Sequence, residues 1–340
     1  MNLNIPYMET DNKLLNDAYR IAAGDIVGNI VYYQNGLLTE EKPCMIAGLD
    51  YNTPWTRDTA INIWNALSVL SPEVSKNTLL AVLEEEEGNI YIGGQYWDSI
   101  IWMIGAQEYC RFHKDDNFYR LAFEAGRNSV HRLEEDEFDE EDGLFRGPAV
   151  YGDGIAAYPD KYSKCPNQGS GILEWVDYPG NPVYPKGYGI PMKALSTNCV
   201  YFKAYEILAE MAHALGEPAK EFEEKAAAMK KAVNKNFWNE KRGSYDYLAG
   251  ECDYAEGLGL AFAVLFGIAD ERQTALIREN THICAHGIPC VWPSFSRYDG
   301  KDGADGINGK DGADGKDGTN GQNGSDGKDG KTPFIGEKGN

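Results

Sequence analysis

Positive charge is scarce in this chain. Its 340 residues hold 32 Lys and Arg against 53 Asp and Glu, a net charge of −21. A surface of that sign repels phosphate backbones and anionic headgroups, so neither nucleic acid nor an acidic membrane surface is an expected partner. Long apolar runs are missing as well. No stretch nears the roughly eighteen uninterrupted apolar residues of a spanning helix, so no membrane span is expected. Met1 to Tyr7 has neither the basic start nor the apolar centre of a secretion signal. On that ground the globular part is expected in the cytoplasm.

A disulfide framework is also lacking. The seven cysteines are Cys44, Cys110, Cys165, Cys199, Cys252, Cys284 and Cys290, an odd number with no C-x-x-C pair. Buried free thiols in a reducing compartment are expected. His282, Cys284, His286 and Cys290 cluster loosely, but their spacing matches no common zinc pattern, so no metal is expected. No heptad persists long enough for a coiled coil, and no strand–helix alternation supports a parallel sheet.

What is present falls into two parts. From Gly300 to Gly330 glycine recurs at every third position, and Gly336 and Gly339 return to register after Pro333. Strict Gly-X-Y spacing is the mark of a collagen triple helix, because only glycine fits at the axis of three wound chains. This repeat holds no proline before Pro333. Residues 299–340 are therefore expected to form a collagen-like or disordered tail, at most a weak homotrimer. Such tails point to surfaces or fibres, against the cytoplasmic expectation.

Residues 1–298 read as one helical domain. Apolar residues recur at helical spacing over Asn12–Tyr33, Arg57–Leu70, Pro72 to about Glu86, Trp97–His113, Asp115–Leu133, Ser196–Leu215, Pro218–Phe237, Tyr254–Phe266 and Asp270–Thr281. The acidic run Glu134–Asp142 is expected as a solvated turn. Residues 143–191 form a long loop rich in Gly, Pro and Tyr, and a loop of that length usually builds a site. About nine helices joined by alternating short and long loops predict an all-α fold of helical hairpins, with tight turns at one end and functional loops at the other.

Those loops mix aromatic residues with Asp and Arg. Tyr51–Asp58 reads YNTPWTRD, Gly93–Trp102 reads GGQYWDSIIW, and Gly143–Tyr162 reads GLFRGPAVYGDGIAAYPDKY. Glycoside hydrolysis needs two carboxylates flanking the scissile bond, together with aromatic platforms for sugar faces. Asp58 and Asp98 also suit helix N-termini, where a carboxylate meets the dipole and the first amides. Asp153, between two glycines, also suits a turn. Glu174 and Asp177 compete with it as acid candidates.

Taken in order, the motifs resemble the six-hairpin glycosidases, with their (α/α)6 barrel, over residues 10 to 298. The nearest by motif are glycoside hydrolase family 63, the trehalases and the amylo-1,6-glucosidase-like proteins. Trp55-Thr56-Arg57-Asp58 resembles the loop that holds a terminal glucose. Tyr96-Trp97-Asp98-Ser99 resembles a trehalase signature. Gly152-Asp153-Gly154 resembles the segment carrying the general acid, and Leu195–Tyr205 resembles the helix whose Asn, here Asn198, lines the pocket. The resemblance implies inverting hydrolysis of an α-glucoside or related oligosaccharide, with Asp153 as acid, and no cofactor. It implies substrate contacts from Trp55, Arg57, Asp58, Trp97, Asp98 and Asn198.

In such families the general base comes from the last third of the barrel. Here the chain passes from PCVWPSFSRY into Gly-X-Y sequence. The barrel is therefore expected to be incomplete, without its last hairpins and inactive for want of the base. Glu256 is the one late acid in a suggestive setting, yet its place suits a helix start better. The helices at the ends of an incomplete ring, around Ile21 and Phe262, are expected to lie uncovered. Two other readings stand beside the enzyme. One is a non-catalytic trimeric surface or fibre-associated protein with a sugar-binding remnant barrel, and the other is an artificial join near residue 299.

Overall fold

The computed structural model describes residues 5–48, 51–94, 99–150, 159, 192–250 and 252–295. Contacts divide the chain into two compact units, one of Met1–Tyr7 with Ile26–Trp292 and one of Met8–Asp25 with Pro293–Asn340.

In the second unit the described structure is mainly helix α1 (Lys13–Gly28), which runs three residues into the first unit. Asn12 caps it, its Oδ1 accepting the N–H groups of Leu14 and Leu15 at 3.1 and 3.2 Å. None of its residues is buried, and Ile21 is 50% exposed. The helix stops short of the predicted Tyr33. Ile30–Tyr33 is instead strand β1, paired antiparallel with β2 (Lys42–Met45). Gly28 closes the helix, and the β-branched and aromatic run after it favours a pleated surface.

The first unit is built from helical hairpins. Helix α2 (Thr56–Asn62) passes through a π-helical turn (Ile63–Leu67) into the short α3 (Ser68–Leu70), and then turns into α4 (Pro72–Ala81). Helices α5 (Trp102–Phe112) and α6 (Asp116–Glu137) form the next pair. Helices α7 (Leu195–Leu215) and α8 (Lys220–Phe237) form the third, and α9 (Gly257–Leu265) and α10 (Glu271–Asn280) the fourth. Within each pair the turn is short. Ser71 precedes Pro72, which is tolerated at a first helical turn, and Gly216 ends α7 in the left-handed conformation. Asp270 starts α10 with a capping box shared with Gln273. The long connections all lie between pairs, which gives one rim of tight turns and one of loops.

Small β-hairpins follow three of these helices, and the sequence expectation missed them. β3 (Leu83–Glu86) pairs with β4 (Asn89–Ile92) where helix was expected to continue to Glu86. The turn at Glu87 and Gly88 has positive φ at both residues, a conformation no helix continues through. After α6, β5 (Phe138–Asp139) pairs with β6 (Leu144–Phe145), and after α8, β7 (Trp238–Asn239) pairs with β8 (Ser244–Tyr245). These two are copies of one device. Each has a glycine at positive φ, Gly143 or Gly243, and each closes with an edge-on aromatic pair, Phe138 on Phe145 at 5.1 Å or Trp238 on Tyr245 at 4.9 Å.

The acidic run is likewise not a free turn. Glu134 to Glu137 complete α6, where Glu134 accepts from Tyr205 at 2.6 Å and from Lys225 at 2.8 Å. Local charge repulsion is offset by these partners on the next hairpin.

The core lies between α5, α6, α7 and α8. Trp102 is fully buried and its indole donates to the carbonyl of Leu79 at 3.1 Å, which satisfies the one polar atom of that ring. Phe145 stacks flat on Tyr201 with centroids 3.6 Å apart. Helices α2 and α5 touch directly, since a Cβ on Gly105 would stand 2.8 Å from Cα of Ala60. Phe262, expected to lie uncovered, is only 2% exposed and packs near Trp64 and Phe266. Among the described residues, no helix is long and apolar enough to cross a membrane.

Candidate active site

The loop rim is held together at the start of α2. Trp55, just before the helix, is extended, 43% exposed, and meets Tyr51 edge-on with centroids 6.2 Å apart. Thr56 is buried, and its hydroxyl donates to the carbonyl of Gly93 at 2.7 Å. Gly94 has φ of +109°, and a Cβ there would stand 2.6 Å from Oγ1 of Thr56. Only glycine lets the chain pass so close. The paired glycines, which precede the segment containing Trp97 and Asp98, are therefore held against α2. Arg57, the next residue of the helix, donates from Nη1 to the carbonyl of Val150 at 2.7 Å. That contact roots the segment leading to Asp153. Asp58 lies half-buried in the first turn of α2, where the helix dipole favours a carboxylate.

Trp97, Asp98 and Asp153 themselves lie outside the described residues, as do the competing acids Glu174 and Asp177. What is described is the point from which each segment leaves, and the three points meet at Thr56 and Arg57.

The start of α7 forms the second half of this knot. Three consecutive polar residues are fully buried there, and each holds one residue of the segment running from Phe145 to Val150. Asn198 accepts the N–H of Phe145 at 2.8 Å and donates to its carbonyl at 3.1 Å, with a further bond to Ala194 at 2.9 Å. Thr197 donates to the carbonyl of Pro148. Ser196 accepts the N–H of Val150 at 3.1 Å. Asn198, expected to line the pocket, thus spends its amide on backbone, and its contacts are those of a clamp. Gly147 also meets the chain just before α7: it donates to the carbonyl of Met192 at 2.7 Å, and Ala194 donates to the carbonyl of Gly147 at 3.1 Å.

Glu256 completes the arrangement. It is 3% exposed in strand β9 (Ala255–Glu256), which pairs with β10 (Val291–Trp292). Its Oε2 accepts the N–H of Ser196 at 3.1 Å. Burial pushes its carboxyl up to about 7, and the hydrogen bonds from the Ser196 side chain and backbone pull the other way. Ser196 and Thr197 are not among the site residues expected from the sequence, and Glu256 is weighed there only as a late acid whose place suits a helix start. The signal available was a run of three polar residues opening an otherwise apolar helix.

Other titratable groups lie away from this rim. His131, Glu134 and Glu221 bring ligand atoms within 4.8 Å of one another, but the ammonium of Lys225 already bridges the two carboxylates at 2.8 and 2.5 Å. His282 stacks on Trp292 with centroids 3.6 Å apart, and Cys284 donates to the carbonyl of Gly287.

Comparison with known proteins agrees with the architecture. Residues 102–302 match the mannosylglycerate hydrolase MGH1-like glycoside hydrolase domain. Among curated proteins, none gives a significant match. Solved structures with a similar fold include the neutral trehalase of Saccharomyces cerevisiae, at 13% identity and a TM-score of 0.52 over 81% of this chain. A rhamnosidase from Klebsiella oxytoca with rhamnose bound aligns over 80% at 12% identity and a TM-score of 0.51. The GH63 mannosylglycerate hydrolase of Thermus thermophilus in complex with Tris aligns over 76% at 14% identity and a TM-score of 0.51. The chain spans 62% of the trehalase, 48% of the rhamnosidase and 75% of the mannosylglycerate hydrolase. With the helical-hairpin toroid of these glycosidases and a family match over more than half its length, the chain belongs to the MGH1-like glycoside hydrolases of the six-hairpin glycosidase superfamily.

Proposed function

We propose that this glycoside hydrolase domain, residues 1–298, acts on an α-glucoside or a related small oligosaccharide by an inverting route. Asp153 protonates the departing glycosidic oxygen. Trp55 and Trp97 offer faces to the sugar, and Arg57, Asp58 and Asp98 hold its hydroxyls. Asn198 serves the site through the backbone of Phe145. The observation that supports this reading is that Gly93 and Val150, which lie just before the segments of Asp98 and Asp153, are both bonded to the start of α2. The resemblance supplies an acid among residues 1–298 but no base. Turnover is therefore expected to be low while sugar binding persists, since each member of an acid–base pair contributes roughly 10²–10⁴-fold. The tail, residues 299–340, is proposed to form a separate collagen-like segment. A non-catalytic trimeric surface or fibre-associated protein with a sugar-binding remnant barrel is the competing reading, and it rests on the glycine period.

The test is calorimetric binding of trehalose, maltose, an α-rhamnoside and mannosylglycerate, with hydrolysis followed by NMR of the released anomer. Binding with slow or no turnover is expected. Fast turnover abolished by Asp153→Asn would show a base within residues 1–298 and overturn the low-activity reading. Failure to bind any of the four sugars would overturn the hydrolase reading.

A further inference from the structure

Glu256 is a buried acid that the proposed hydrolysis does not use. It stands at the head of α9 but makes no side-chain cap for its own helix. Its carboxylate instead reaches the first turn of α7, whose own N-cap position is Ala194, a residue with nothing to cap with. A Ser, Asp or Asn at position 194 would satisfy that helix end locally, without burying a charge. The chain uses a carboxylate sixty residues away instead. Capping alone does not explain that choice.

The next link explains it. Ser196 donates its backbone N–H to the Glu256 carboxyl at 3.1 Å. A hydroxyl has one proton to give and two lone pairs. The Ser196 hydroxyl oxygen accepts the N–H of Val150 at 3.1 Å. On its other side the same residue is held by Arg57, which donates to the Val150 carbonyl at 2.7 Å. Val150 and Ser196 are both fully buried. The backbone of Val150 is thus gripped at both polar groups, with the Glu256 carboxyl at the far end of one link and the Arg57 guanidinium on the other. Such a chain of bonds is mutually polarising in a low-dielectric interior. The space is fitted to the carboxylate as well: a Cβ on Gly259 would stand 2.7 Å from its Oε2 and 2.9 Å from Leu195.

We propose that Glu256 is a positioning residue for the glycosidase reaction, acting through Ser196 to fix the backbone of Val150, three residues before Asp153. Arg57 is its counterpart on the carbonyl side. The inference rests on Asp153 being the acid, as proposed above.

The test uses the full chain with Glu256→Gln, Glu256→Ala and Ser196→Ala. Two probes are titrated calorimetrically. The first is 1-deoxynojirimycin, an ammonium-bearing sugar mimic whose affinity depends on where a carboxylate stands. The second is maltose, which is neutral. Hydrogen exchange at the Val150 amide is measured alongside. In Glu256→Ala and Ser196→Ala, exchange at Val150 is expected to rise at least tenfold. Affinity for deoxynojirimycin is expected to fall about tenfold, with maltose affinity within twofold. Glu256→Gln keeps an acceptor oxygen and should restore both. Unchanged Val150 exchange in a folded Glu256→Ala or Ser196→Ala protein overturns the proposal. So does faster exchange with both affinities unchanged, or equal loss of both affinities, which would mark a merely structural role. Wild-type protein that binds neither probe overturns the hydrolase reading, and the positioning role falls with it, even where the exchange data show the grip on Val150.

Discussion

Trp64 and Phe262 sit with ring centroids 6.4 Å apart, and Phe266 lies 6.1 Å from the same indole. Trp64 belongs to the π-helical turn that follows α2, whereas Phe262 lies in α9, so the first and last loop-rim helices of the unit meet through aromatic rings. An unfinished ring of hairpins would leave Phe262 on an open face. The contact with Trp64 covers it, while Leu265 and Val69 stay exposed nearby in sequence.

Removing the ring from this contact should cost accordingly. Phe262→Ala is expected to destabilise the domain by about 3–5 kcal/mol, the usual range for deleting a buried aromatic side chain. Leu265→Ser, at an exposed position of the same helix, should change stability by less than about 0.5 kcal/mol. Urea unfolding followed by tryptophan fluorescence compares the two. Equal effects would mean that the rings do not hold α9 in place.

Helix content was readable because helical spacing of apolar residues survives in α2, α4 to α8 and α10. The turns were less readable. β5–β6 and β7–β8 repeat one pattern, aromatic, polar turn with glycine, aromatic, a hundred residues apart, yet each hairpin is too short for alternation to show. The site residues divide in the same way. Trp55, Arg57 and Asp58 stand out by type, because aromatic and charged residues at a helix entrance are uncommon together. Ser196 and Thr197 do not, and Glu256 stands out only as a late acid, because their meaning lies in partners 46 to 60 residues away that no spacing rule reaches. Asn198 is legible by type but not by partner. Its type fits a sugar ligand, and its hydrogen bonds go to Phe145 and Ala194.

That clamp can be tested directly. Asn198→Ala leaves the N–H and carbonyl of Phe145 without their partner in a fully buried place. Each unsatisfied group costs about 1–3 kcal/mol, so a total loss near ~3 kcal/mol is expected. Asn198→Asp should be at least as damaging, since it keeps the acceptor but gives up both donated bonds. Chemical denaturation of the two variants measures this. A variant as stable as wild type would show that Phe145 does not need the amide.

Glu256 gives the domain a pH dependence of definite sign. Its carboxyl is raised from 4.5 to about 7 in the folded protein, mainly by burial. A raised group contributes its stability below the unfolded value, where both states hold the proton, and loses it as pH climbs through the folded value. The window is therefore about pH 4.5 to 7, and the loss across it is about 3 kcal/mol. Glu256→Gln cannot ionise and should lack this component. Wild type minus Glu256→Gln, measured by urea unfolding at about pH 5 and about pH 8, should become less favourable at the higher pH. A difference that stays constant, or grows with pH, would mean that the buried carboxyl is not raised.

The tail offers the last prediction, and it follows from composition. Three chains in Gly-X-Y register gain axial packing and hydrogen bonds between chains. The pairs Lys301-Asp302, Lys310-Asp311, Lys316-Asp317 and Lys328-Asp329 can add ion pairs between strands, each worth only about 0–1 kcal/mol when exposed. Opposing them is the entropy of ordering, about 1–2 kcal/mol for each residue's backbone. Proline would lower that cost by setting φ in advance, but none precedes Pro333, and Pro333 itself occupies a glycine position. The association is therefore expected to be weak. Full-length protein and a chain ending at Tyr298 should both sediment as monomers at micromolar concentration. Their difference circular dichroism should show no cooperative melt above room temperature. A trimer that forms only with the tail and melts sharply well above room temperature would overturn this and favour the surface or fibre-associated role.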